Sequence, residues 1–285
     1  MNKSEGLISK SNKPTKKRKT VGLALGSGAI KGLAHVGVIQ TLTKNNIPID
    51  FIAGTSIGAW VGAHYALYRD LEKLEELTVG RRREKLRSFW EPTFSGGLIK
   101  GNKMAKLLLE WLGDKDFSET QIPFSAIATD LISGQPIILN QGKIVPAVRA
   151  SMSIPTMFQP IVYQEKILVD GGISNPVPAD VVRQMGADIV IAVNLDNYQK
   201  NSRFKSTDAK KVTSVMGRGI EIMRHYLAER SKLSADIVLE PKLNSNEPEL
   251  WRNYFLKKNF GGEIVLGGVT VTKENLNAIT NLINK

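Results

Sequence analysis

Two five-residue apolar runs, Val21-Gly-Leu-Ala-Leu25 and Phe51-Ile-Ala-Gly-Thr55, each lead into a glycine-containing turn, and a stretch with helix-like character follows each turn. Runs this short, bounded by glycine, read as strands buried on both faces, the kind found in parallel sheets covered by helices. After the first turn, Val36, Ile39 and Leu42 fall near helical spacing over Leu33 to Lys44, and Pro48 ends the pattern. After the second, Ile57 to Tyr68 reads as a helix. Ile167-Leu-Val169 reads as a strand, Val177 to Met185 as a helix and Asp188 to Asn194 as another buried strand. Pro123 to Asp130 and Pro136 to Asn140 read as a hairpin turning at Ser133-Gly134. This alternation predicts an α/β fold with a mostly parallel central sheet.

The rest of the chain is less patterned. Residues 69–118 are rich in charge and contain Arg81-Arg-Arg-Glu-Lys-Leu-Arg87 beside Phe89, Trp90 and Phe94. Residues 196–211 read as a polar loop and Val212 to Leu233 as a long basic helix, while 240–262 mixes breakers with aromatics and yields no assignment. Thr272 is expected to cap a final helix over Lys273 to Asn284. The expected organisation is a flexible basic tail (1–20), an α/β domain (21–195) and a helical extension packed on it (196–285).

Composition narrows the chemistry. The chain has 285 residues, no cysteine and a net charge of +12. Disulfides, thiolate metal sites and cysteine nucleophiles are excluded. Half of the net charge lies in residues 1–20, where seven cations, Lys3 to Lys19, face only Glu5. Such a tail suits anionic lipid head groups or nucleic acid, or is a solvated extension. No apolar run follows it as a secretory signal requires, so a cytoplasmic location is expected, with contact at the inner membrane face. Phe51 to Tyr68 lacks charge, but its glycines fit a strand, turn and helix better than a membrane span.

Gly54-Thr55-Ser56-Ile57-Gly58 fits the G-x-S-x-G pattern between a strand and a helix. A serine on so sharp a turn is exposed for nucleophilic attack, and the flanking glycines give the turn room. The loop Gly26-Ser27-Gly28-Ala29, continuing to Gly32, stands at the first strand's end, where its N–H groups could hold an oxyanion or a pyrophosphate. Its G-x-G-x-x-x-G spacing is one residue longer than the dinucleotide fingerprint, and no acidic residue ends the next strand. Lys31 could hold an anionic head group. Of the three histidines, His64 lies too far along the serine's helix, His35 packs beneath the loop and His225 sits in the basic helix. Asp170 ends a strand and precedes Gly171 and Gly172, which makes it the better candidate base, since sites in parallel sheets gather at the strands' carboxyl ends. The competing reading is an ordinary Asp-Gly turn.

Taken in order, the glycine loop, Gly-Thr-Ser-Ile-Gly and Asp-Gly-Gly resemble the patatin-like phospholipase family, and small bacterial members most of all. Leu23 to Val38 resembles its opening block, and Arg149-Ala-Ser-Met-Ser-Ile-Pro155 the block before its aspartate. The resemblance covers about residues 21–195. It implies a three-layer α/β/α sandwich and a Ser56–Asp170 dyad without histidine. It also implies an oxyanion hole from the backbone of Gly26, Ser27, Gly28 and Ala29. The implied reaction is lipid acyl-ester hydrolysis, of phospholipase A or lysophospholipase type, through an acyl-serine and with no metal or cofactor. Ile30-Lys31 departs from the family's more usual small residue and arginine.

Three functions are weighed. The leading one is a lipid acyl hydrolase at an anionic membrane surface, contacted through residues 81–99, with no nucleic-acid partner. The second is a regulatory or adaptor protein that keeps the fold. The third is a nucleotide-dependent oxidoreductase built on the glycine loop.

Overall fold

A computed structural model describes residues 18–196, 204, 206–243, 247–257 and 259–285. Most of the basic tail, residues 1–17, lies outside the described residues. The part within them is anchored: Arg18 pairs with Asp50 at 2.6 Å, and Thr20 Oγ1 donates to Asp188 at 2.9 Å. Arg18 and Thr20, expected within the tail, are thus held against the folded domain.

The chain runs β1 (Val21–Leu25), α1 (Ala34–Lys44), β2 (Phe51–Thr55), α2 (Ile57–Tyr68), α3 (Leu71–Val79), α4 (Arg82–Ser88) and α5 (Asn102–Leu112). It continues through β3 (Phe124–Asp130), β4 (Pro136–Leu139), α6 (Ile144–Ser151), β5 (Ile161–Tyr163), β6 (Lys166–Asp170), α7 (Ala179–Gln184) and β7 (Ile189–Val193). It closes with α8 (Val212–Ser231), β8 (Ile237–Leu239), α9 (Glu247–Leu256) and α10 (Phe260–Asn284). The strands form one sheet in the order β5-β6-β3-β2-β1-β7-β8, with β4 also paired to β3. Pairings among β3, β2, β1, β7 and β8 are parallel. Those of β3 with β4 and β6, and of β5 with β6, are antiparallel.

Alternation along the strands gives the sheet two buried faces. Val21, Leu23 and Leu25 join the larger core with Val36, Trp60, Leu108 and Ile264. Ala24, Ala53, Val190 and Ala192 join a second core with Val181 and Val182 of α7 and Ala228 of α8. Helices on both faces make the three layers of an α/β/α sandwich. The uncharged stretch 51–68 is β2 and α2, and no helix among the described residues is long and apolar enough to cross a membrane.

One expectation about the carboxyl-terminal third is corrected. Thr272 caps nothing: α10 is continuous from Phe260, and buried Thr272 donates its hydroxyl to the Gly268 carbonyl at 2.8 Å. The unassigned 240–262 stretch contains α9, and β8 just before it extends the sheet. Helices α1 and α10 meet through glycine. A Cβ on Gly37 would stand 2.0 Å from the Val265 carbonyl oxygen, and one on Gly268 2.0 Å from that of Ala34.

Candidate active site

Ser56 sits between β2 and α2 with φ 57° and ψ −122°, a left-handed φ that is uncommon outside glycine. The turn is tight enough that a Cβ on Gly54 would fall 2.3 Å from the Gly58 carbonyl oxygen, and one on Gly58 2.1 Å from that of Leu25. Both glycines are thus required by the room available. The strained residue is held at both ends. Its hydroxyl donates to Asp170 Oδ2 at 2.5 Å, and its N–H donates to Ser151 Oγ at 2.8 Å. Ser151 in turn donates to the Ile127 carbonyl.

Asp170 reaches this point by a different route from the one its sequence suggests. Strand β6 runs antiparallel to β3, so the carboxyl-end rule for parallel strands does not place it. Register does. Asp170 lies beside Ala128 of β3, whose preceding residue Ile127 lies beside Thr55 of β2. The end of β6 therefore comes level with the end of β2. The aspartate is fixed on every side: Oδ1 accepts from Gly172 N–H at 2.7 Å, its own N–H donates to Ser153 O at 2.9 Å, and its carbonyl accepts from Thr129 Oγ1 at 3.0 Å. Burial raises its pKa to about 6, against the lowering effects of the Ser56 hydroxyl, the Gly172 N–H and the Arg224 charge; Asp196 adds to the rise. Gly171 leaves no room for a side chain, since its Cβ would stand 2.3 Å from the Ile127 carbonyl oxygen.

The glycine loop is narrower in use than expected. Gly26 N–H donates to Val193 O at 3.1 Å and Ser27 N–H to Pro176 O at 2.8 Å, so neither is free to meet an anion. Any such role falls to Gly28 and Ala29. Ala29 also has a positive φ, 47°. Lys31 does not extend toward an open head-group site: its Nζ donates to Leu195 O at 3.0 Å. Buried His35 faces the Gly26 carbonyl through Nε2 at 2.8 Å, and burial lowers its pKa to about 4. A carbonyl partner requires the Nε2–H tautomer, which supports the loop and leaves this nitrogen unable to act as a base. His64 is buried against Tyr68. His225 faces the Asp196 carbonyl through Nδ1 at 3.1 Å.

Beside the loop lies a polar network that sequence reading missed. Ser27 Oγ donates to Asp196 Oδ2 at 2.9 Å, and Arg224 of α8 pairs with Asp196 at 2.8 Å. A Cβ on Gly172 would stand 3.0 Å from both Ser27 Oγ and Asp170 Oδ1, so the network abuts the carboxylate. Nothing in the spacing of residues 27, 196 and 224 announces this. Arg149 and Ser153 lie in a block that the sequence did single out. Arg149 is buried, donates to Ser153 Oγ at 2.6 Å and to the Gly101 carbonyl at 3.1 Å, and stacks over Phe158. It therefore fixes the segment whose Ser153 carbonyl receives the Asp170 N–H.

Ser56 opens onto a pocket walled by apolar side chains, among them Trp60, Leu108, Trp111, Met157 and Trp251. Lys85 and Tyr254 also line it. Lys85 Nζ bonds the Tyr254 hydroxyl at 2.6 Å and the Thr78 carbonyl, and lies over the rings of Trp60, Trp111 and Tyr254. Burial lowers its pKa to about 7. The expected basic surface is also partly engaged: Arg81 pairs with Glu76 and Glu84, and Arg82 donates to the carbonyls of Tyr254 and Lys257. Trp90 and Phe94 are 78% and 94% exposed. Among the described residues no group of three or more His, Asp or Glu side chains is placed to hold a metal ion.

A serine at a strained strand-to-helix turn, bonded to a buried aspartate beside an apolar pocket, gives this α/β/α protein a nucleophile-elbow geometry. The family model for patatin-like phospholipase matches residues 23–183, and the chain belongs to that family. An uncharacterized NTE family protein of Mycobacterium tuberculosis is 34% identical over 180 residues, 63% of this chain and 50% of the relative. The lysophospholipase nte1 of Aspergillus fumigatus is 31% identical over 194 residues, 65% of this chain and 12% of that protein. The chain thus matches about half the length of the mycobacterial relative and a small part of the fungal one. VipD from Legionella pneumophila shares the fold, with a TM-score of 0.53 at 14% identity over 98% of this chain and 72% of that one.

Proposed function

We propose that the chain is a lipid acyl hydrolase that cleaves carboxylic esters through an acyl-serine on Ser56, with Asp170 as the base. The observation that carries this reading is the 2.5 Å bond from Ser56 Oγ to Asp170 Oδ2 at the mouth of an apolar pocket. As Ser56 Oγ attacks the acyl carbonyl carbon, its proton passes to Asp170. The oxyanion that forms meets the N–H groups of Gly28 and Ala29 at the start of the helical turn that follows. Collapse breaks the ester C–O bond, and Asp170 returns the proton to the departing alkoxide. Water then attacks the acyl-serine with the same base, releasing the fatty acid and regenerating Ser56. The acyl chain lies in the apolar pocket. Exposed Trp90 and Phe94 suit a peripheral contact with an anionic membrane.

A fluorophosphonate probe tests the reading, because it labels only an activated serine. Labelling of wild type but not of Ser56→Ala, read by intact mass, is the expected result. No labelling of a folded wild-type protein would leave the regulatory or adaptor reading in its place.

A further inference from the structure

Helix α8 is amphipathic in the wrong sense. A surface helix ordinarily turns its apolar stripe to the core and its charges to water. Here the side chains turned outward are Val212, Val215, Met216, Ile220, Met223 and Tyr226, between 43% and 83% exposed. Their spacing of three and four residues makes one continuous stripe. Other charged residues of the same helix are engaged off this stripe: Arg218 pairs with Glu221, and Arg224 and His225 reach Asp196. Twenty residues of helix span about 30 Å. An apolar face of that length left in water is costly, and such faces mark interaction surfaces.

We infer that the outer face of α8 is a docking surface for an anionic lipid bilayer, lying flat at the head-group boundary. Charge selects this occupant. Exposed Lys210 and Lys211 precede the stripe and exposed Arg230 follows it, so cations bracket the apolar face at head-group level. A second copy of the chain would bring a body of net charge +12 against its equal, which favours separation. Position agrees. Through Arg224 the inner face of α8 bonds Ser27 Oγ at 3.2 Å, next to Gly172 and Asp170, so the docking helix is tied to the glycine loop beside the proposed base. The inference rests on the lipid-hydrolase reading for its purpose, but it is tested separately.

The test is sedimentation of the full chain with phosphatidylcholine vesicles, with and without phosphatidylglycerol. It compares wild type with Met216→Glu/Met223→Glu and with the control Val162→Glu, a substitution at an exposed apolar position on β5. Wild type and the control should bind the anionic vesicles, and the double variant should bind about tenfold more weakly or worse, since each methionine loses its burial in the bilayer. Hydrolysis of a short water-soluble ester should stay within about twofold in the double variant, because these side chains lie outside the pocket. Equal vesicle binding by wild type and the double variant overturns the inference. So does light scattering that shows a wild-type dimer which the double variant dissociates. If wild type binds vesicles through the stripe but cleaves no soluble ester, the hydrolase reading fails and the docking surface stands.

Discussion

The N–H of Ser56 donates to Ser151 Oγ at 2.8 Å, and Ser151 passes the connection on to the Ile127 carbonyl of the neighbouring strand. The strained turn is therefore tied to β3 independently of the Ser56 side chain. Ser151→Ala removes both bonds and leaves a buried donor and a buried acceptor without partners. The expected cost is about 1–3 kcal/mol of stability. It should come with a fall in kcat larger than any rise in KM, as the hydroxyl loses its fixed position. Denaturant unfolding and steady-state kinetics on a soluble ester check the two parts.

Asp170→Asn should separate chemistry from stability. The carboxylate is the proposed base, so acyl transfer should fall by at least about 100-fold. Stability should move the other way. The folded-state pKa of Asp170 lies near 6, above the ordinary 3.8, so the folded state holds this proton more tightly than the unfolded state does. That contribution is fully present below pH 4 and is lost as pH rises through 6, by roughly 3 kcal/mol at most. At pH 8 the asparagine variant should be the more stable protein, and its unfolding free energy should lack this decline between pH 4 and 6. Retained turnover in Asp170→Asn would sink the proposed base.

Turnover should itself titrate. The proton-accepting form of Asp170 grows as pH rises through about 6, so kcat/KM should rise across that range and then level off. Arg224→Gln removes a cation that favours the carboxylate, which should move this limb to higher pH. A pH–rate profile reads the displacement directly. An unmoved limb would show that Arg224 only holds α8 in place.

Two glycines in α10 should respond oppositely to alanine. Gly268→Ala gains helix propensity but drives its Cβ to 2.0 Å from the Ala34 carbonyl oxygen, so a loss of about 1–3 kcal/mol is expected. Gly262 has open space around its Cβ position, and alanine there should raise stability by up to about 1 kcal/mol. Thermal unfolding of the pair of variants decides.

Local pattern carried the sequence reading where function needs glycine at a strand's end. The runs at Val21 and Phe51, their turns and the hairpin at Ser133-Gly134 are each written in consecutive residues. Distant pairings were hidden. Asp170 was singled out by a rule for parallel strands that β6 does not obey, and only the register with Ala128 explains its reach. Gly26 and Ser27 looked like anion donors, yet their N–H groups serve the backbone of β7 and the segment at Pro176. Thr272 resembled a cap because the glycines before it resemble breakers. Of these, Gly268 is instead the place where α10 presses on α1. Arg224 and Asp196 carry no motif, and only folding brings them to Ser27.

The pocket wall has a consequence for how such a protein changes. Trp251 and Tyr254 belong to α9, well beyond residue 183 where the family match ends, whereas Ser56 and Asp170 lie inside it. On the proposed reading, the reacting pair and one wall of its pocket thus come from different stretches of the chain. Exchange of the α9 segment would act as a cassette, re-cutting the shape offered to an acyl chain while the reacting pair stays as it is. Trimming the chain to the family-matched core would keep both reacting groups and lose one wall of the chamber they serve.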